Sequence, residues 1–173
     1  TRLVEQLSSG QEIEHPLLRV NTESNRLAVL VLTSNRGLCG GYNSALLRTA
    51  SHFMAEQEAA GKTIDLRVVG KKGIAAFNFH GRPMTWKETG FEDRPSFADV
   101  EAIASGLMDA YERRELDAVH VVYMRFVSAG LQHPEVMPLL PIARPAAAKP
   151  EGGAKVVDLG EVWRGRIVNQ RKD

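Results

Sequence analysis

Two stretches, "RLAVLVLTS" at 26–34 and "LDAVHVVYMRFVS" at 116–128, constrain this chain more than anything else in it. Each is a nearly unbroken apolar run of strand length. A strand whose hydrophobicity does not alternate must be covered on both faces, as in the middle of a parallel sheet. The spans 27–33 and 118–127 are therefore expected as central strands.

Between them the period changes. Leu46, Leu47, Ala50, Phe53 and Met54 recur at one-face helical spacing, with Asn43 or Ser44 as candidate N-cap and Gly61 as the stop. "TIDLRVVG" at 63–70 reads as the next strand, and "KKGIAAFNFHG" as a short helix closed by Gly81. "PMTWKET" is a weaker strand. Ser96 is placed to cap a helix whose apolar stripe runs Phe97, Val100, Ile103, Leu107 and Tyr111. Helices are thus expected near 44–60 and 96–113. "PEVMPLLPI" at 134–142 reads as a short strand, confined to an edge by its prolines. Alternation of strand and helix predicts an α/β fold: an open, mostly parallel, twisted sheet with helices on both faces, a Rossmann-like three-layer arrangement. The globular domain is expected over 26–142, after a lead-in over 1–25. From "ARPAAAKPEGG" onward, 143–173 reads as an Ala/Pro/Gly-rich linker and tail.

Several functions are disfavoured by composition. Lys and Arg number 22 against 21 Asp and Glu, a net charge of +1, so no basic field draws nucleic acid. Cys39 is the sole cysteine, which rules out an internal disulfide and a multi-cysteine zinc site. The five histidines show no paired ligand spacing, and no G-x-S-x-G elbow surrounds Ser34. No apolar run reaches membrane-spanning length, and the first residues lack the pattern of a signal peptide. The expectation is no catalytic centre, no metal, no cofactor and no direct membrane insertion.

One loop still invites a site. "TSNRGLCGGYNSALL" carries Gly37, Gly40 and Gly41 from the first strand into the first helix. These glycines fit neither the dinucleotide fingerprint nor the Walker A spacing, which also needs Lys then Ser or Thr where this chain has Tyr42 and Asn43. Two readings stay open: the glycines allow positive φ and close packing of helix on sheet, or the amides of 36–43 bind an anion at the carboxyl end of the sheet. Cys39, near Arg36, is either a reactive thiol or a small buried filler of a tight turn. Arg36, Lys71 and Lys72 are expected at one sheet end, as an anion pocket, an interface patch or solvated side chains.

The letters of this loop resemble the signature of the gamma subunit of rotary F-type ATP synthase, with Asn35 where that family typically has Asp. "VVGKKGIAAF", "ELDAVHVVYMRFVSAGLQHPEV" and "PLLPI" agree in order, so the resemblance spans about residues 1–142. It implies a foot domain of the rotating central stalk, inserted between two long helices that pair as an antiparallel coiled coil. The implied partners are the epsilon subunit, the c-ring and, through those helices, the alpha/beta catalytic head. The implied location is peripheral, on the cytoplasmic face of an energy-transducing membrane, in a subunit that catalyses nothing. Its signature positions here are Arg36, Gly37, Leu38, Cys39, Gly40, Gly41 and Asn43. Of the family's two helices only the last turns of the first are expected, in "TRLVEQL", and "VVDLGEVWRGRIVNQRKD" does not match the second.

Overall fold

The computed structural model describes residues 15–91, 95–128 and 130–142. The expected helix end at "TRLVEQL" and the linker and tail from 143 lie outside the described residues.

Five strands form one sheet: β1 (Arg26–Leu32), β2 (Thr63–Val69), β3 (Trp86–Glu88), β4 (Ala118–Ser128) and β5 (Leu131–Leu140), in the order β3-β2-β1-β4-β5. β1 pairs in parallel with β2 and β4, β2 in parallel with β3, and β4 antiparallel with β5. Three helices join them: α1 (Tyr42–Ala59), α2 (Lys71–Phe79) and α3 (Phe97–Glu112).

The unbroken apolar run of β1 has the expected cause. Leu27, Val29 and Val31 pack with Leu46, Ala50 and Met54 of α1 and Phe77 of α2. Ala28 and Leu30 pack on the other face with Leu107, Ala110 and Tyr111 of α3. Every one of these side chains is buried. Ser96 caps α3 as expected, its hydroxyl accepting from the Asp99 amide while Asp99 accepts from the Ser96 amide.

Three local expectations need correction. The N-cap of α1 is Gly41, with no side-chain cap; Asn43 lies inside the helix and turns back toward the loop. On α3, Phe97 and Val100 remain 79% and 50% exposed although they share a stripe with buried Leu107 and Tyr111. Periodicity marks the side of a helix that faces a sheet but not how far the sheet extends beneath it. Finally, β5 does lie at an edge yet runs ten residues. Pro134 and Pro138 sit opposite Met124 and His120. Four residues apart, they present their missing N–H groups to the same side, the open one, so the ladder to β4 survives.

β1 pairs with β4 only as far as Val122, so beyond it β4 and β5 continue as a two-stranded arm. Phe126, Val127 and Leu131 are exposed there.

Candidate functional site

The polar residues that end β1 hold the glycine-rich loop in place. Thr33 donates its N–H to the Val69 carbonyl at 2.8 Å and its hydroxyl to the same oxygen at 2.7 Å. The Ser34 amide donates to the Asn43 carboxamide oxygen at 3.1 Å, and its hydroxyl donates to the Arg36 carbonyl at 2.7 Å. Asn43 in turn donates to the Ser34 hydroxyl at 2.8 Å and to Cys39 Sγ at 3.0 Å. Asn35 donates to the carbonyls of Thr89 and Phe91, at 3.1 and 2.7 Å, fastening the segment after β3. Sequence reading weighed Ser34 only as a hydrolase serine and Asn35 only as a departure from the family signature; the signal for their joint role with Thr33 is a polar triplet directly after an apolar strand.

The same three residues occupy the start of α2. The Lys71 amide donates to Asn35 Oδ1 at 3.0 Å, the Lys72 amide to the Ser34 carbonyl at 3.1 Å and the Gly73 amide to Thr33 Oγ1 at 2.9 Å. An anion binds a helix start through N–H groups that lack partners. Here the first amides of α2 already have protein acceptors.

The close approach of backbone to sheet also lies in α2 rather than in the loop. A Cβ on Gly70, whose φ is +100°, would stand 2.2 Å from the Thr33 carbonyl oxygen. One on Gly73 would stand 2.6 Å from Thr33 Oγ1 and 2.8 Å from a Val68 methyl. By contrast nothing lies within 4 Å of a Cβ on Gly40, and one on Gly41 would meet only Ser44 Oγ at 3.9 Å. The expected crowding at Gly40 and Gly41 is therefore absent, although Gly40 does adopt a positive φ of 55°. Leu38 does so too, at 60°, with its side chain fully exposed.

Arg36, after β1, and Lys71 and Lys72, after β2, follow the carboxyl ends of their strands and are all exposed, with Lys72 Nζ 3.3 Å from where a Gly37 Cβ would be. Cys39 is exposed, not the buried filler of a turn. Beside it the Tyr42 phenol is pushed above its ordinary range by burial and then by the nearby Cys39. Cys39, Gly41, Tyr42 and Ala45 face Met124, Gln132 and Pro134 of the arm across an open groove. Among the described residues no cluster of His, Cys, Asp and Glu could hold a metal ion. No helix among them is long and apolar enough to cross a membrane.

Comparison with known proteins gives a consistent set of likenesses. A family model described as ATP synthase matches residues 1–162. An ATP synthase gamma chain of Frankia casuarinae is 38% identical over 157 residues, which cover 88% of this chain and 53% of that relative. The gamma chain of Nocardioides sp. is 40% identical over 146 residues, 82% of this chain and 48% of the relative. The chain thus spans about half the length of the curated relatives it matches. Among solved structures, a chain from the central stalk and c-ring of Tetrahymena thermophila mitochondrial ATP synthase superposes with a TM-score of 0.61 at 21% identity, over 87% of this chain and 67% of that one.

Proposed function

This chain belongs to the ATP synthase family, and on that premise we propose that it is the globular foot of a central-stalk gamma subunit. In this role it couples proton-driven rotation to ATP synthesis through its partners and performs no chemistry itself. The observation that carries the reading is the identity of 38–40% to gamma chains over more than four fifths of the chain. The fold supports it, since the superposed solved chain comes from a central stalk.

The partners in this reading are the epsilon subunit, the c-ring and the alpha/beta head, and the location is peripheral to the membrane that holds the ring. Thr33, Ser34 and Asn35 fasten two strand-helix units together, and exposed Arg36, Lys71 and Lys72 form an interface patch beside the loop that follows them. A phosphate- or nucleotide-binding role is the weaker reading, because the helix start best placed for it is filled by Thr33, Ser34 and Asn35.

Affinity-tagged chain, co-expressed with the epsilon subunit and c-ring subunit of its own organism, tests this directly. Stoichiometric retention of epsilon, with no ATP hydrolysis by the chain alone, is the expected result. Nucleotide turnover that disappears in Arg36→Ala, without epsilon retention, would overturn it in favour of a nucleotide binder. A folded chain that retains neither partner and hydrolyses nothing would overturn it in favour of a stand-alone scaffold.

A further inference from the structure

The end of the sheet opposite the glycine loop carries a second, buried polar network. The segment from Leu17 to Asn25, which leads into β1, has little regular structure beyond a 3-10 turn at Pro16–Leu18. It is nevertheless fastened along its length to the turn between α3 and β4. Asn21, 5% exposed, donates both carboxamide hydrogens, to the Tyr111 carbonyl at 2.9 Å and the Leu116 carbonyl at 3.0 Å. Its oxygen accepts from Arg19 Nε at 2.9 Å, and Arg19 also donates to the Glu112 carbonyl at 3.2 Å. The Tyr111 hydroxyl donates to the Arg19 carbonyl at 2.5 Å. Asp117, also 5% exposed, accepts from the amide and hydroxyl of Ser24, the Asn25 amide and Lys62 Nζ.

The way out of the globule is tied to the way in. After β5 the Ile142 amide donates to the Leu17 carbonyl at 2.9 Å, and Leu17 shares the α3-side core with Leu140 and Tyr111. Leu17 and Ile142 therefore meet at one corner of the domain. Apolar contact alone would leave the incoming segment free to slide, whereas a buried polar network with every member satisfied permits one geometry.

We propose that Asn21, Tyr111 and Asp117 are positioning residues of a rigid joint, which holds the incoming segment, Leu17 to Asn25, at a fixed angle to the sheet so that load on it reaches the globule undamped. This rests on the rotor reading above. A flexible joint would let the globule lag behind the rest of its chain, and rotation would slip.

The test uses the mild pair Tyr111→Phe and Asn21→Ala, which keep the aromatic ring in the core and remove only the tethers. In the full chain with Cys39→Ser, spin labels at Val20→Cys, on the incoming segment, and Glu56→Cys, on exposed α1, report their mutual distance. The parent should show a narrow distribution, and the double variant one at least twice as wide at a temperature where both are folded. In vesicles carrying the assembled synthase, protons pumped per ATP hydrolysed should fall at least threefold, with ATP hydrolysis within twofold of the parent. A lower melting temperature with an equally narrow distribution would show a merely structural role and overturn the joint. Unchanged pumping per ATP beside a broadened distribution would overturn its part in load transfer. If the parent chain fails to assemble at all, the rotor reading fails, and the distance measurement still decides whether the corner is rigid.

Discussion

Among the glycines of the described residues, Gly70 is the least replaceable. Gly70→Ala places a Cβ against the Thr33 carbonyl at a positive φ, where both backbone and neighbour must yield. We expect a loss of about 3 kcal/mol, against about 1 kcal/mol for Gly40→Ala, which meets open space and suffers only its backbone conformation. Urea melts of the two variants beside the parent give the comparison. His120 offers a second residue-scale prediction. Its ring lies tilted against that of Phe53 with centroids 5.0 Å apart, Nδ1 is buried without a hydrogen-bond partner, and burial pushes its pKa below the ordinary 6.5. The native state thus prefers neutral His120 more than the unfolded chain does. Its contribution is complete above about pH 6.5 and is lost as the pH falls from there through the depressed native value. His120→Phe should flatten that acid limb in melts between pH 7.5 and 5, and an unchanged limb would assign it to other groups.

Elements differ in how openly the sequence declares them. β1 and β4 as far as Val122 are legible because burial on both faces removes the alternation that a half-exposed strand would show, whereas the rest of the 118–127 span, expected to be central too, is an exposed arm that its apolar letters do not set apart. Ser96 and Asp99 are legible because a capping box needs only neighbours within three positions. The approach of Gly70 and Gly73 to Thr33 is not legible, since it depends on the register of β2 beside β1, about forty residues apart in the chain. Nor does the apolar stripe of α3 reveal that Phe97 and Val100 stay exposed. β5 illustrates a local cue with a nonlocal purpose. Its prolines predict an edge, and they also remove two outward donors from a ten-residue open strand, a known hazard for strand addition. The double variant Pro134→Val and Pro138→Val should keep its circular dichroism spectrum while self-associating at concentrations where the parent is monomeric in analytical ultracentrifugation. A variant that remains as dispersed as the parent would show that the prolines do not protect the edge.

At the scale of the molecule, polar networks close both ends of the sheet. At the amino ends of the strands, burial pushes the Asp117 carboxyl up, but the Lys62 ammonium and the Ser24 amide and hydroxyl outweigh it, and the net shift is down. A depressed carboxyl stabilises the fold above its ordinary range and loses that contribution as the pH falls through its native value. Lys62→Met leaves the buried carboxylate without its cation and should cost about 2 kcal/mol at pH 7. The cost should shrink in acid, where Asp117 becomes protonated. An equal loss at pH 7 and pH 3 in parallel denaturation curves would show that Lys62 acts through packing alone.

At the other end, Thr33, Ser34 and Asn35 bond to the first amides of a helix that follows them by nearly forty residues. Ordinarily the first turn of a helix frays, and its protons exchange with solvent quickly. Here the Gly73 proton can leave Thr33 only if two strand-helix units separate, so its exchange clock should run with the slowest amides of β1. The loop that looks like a cradle for a small molecule instead joins two halves of one cooperative unit, and neither half can open by itself.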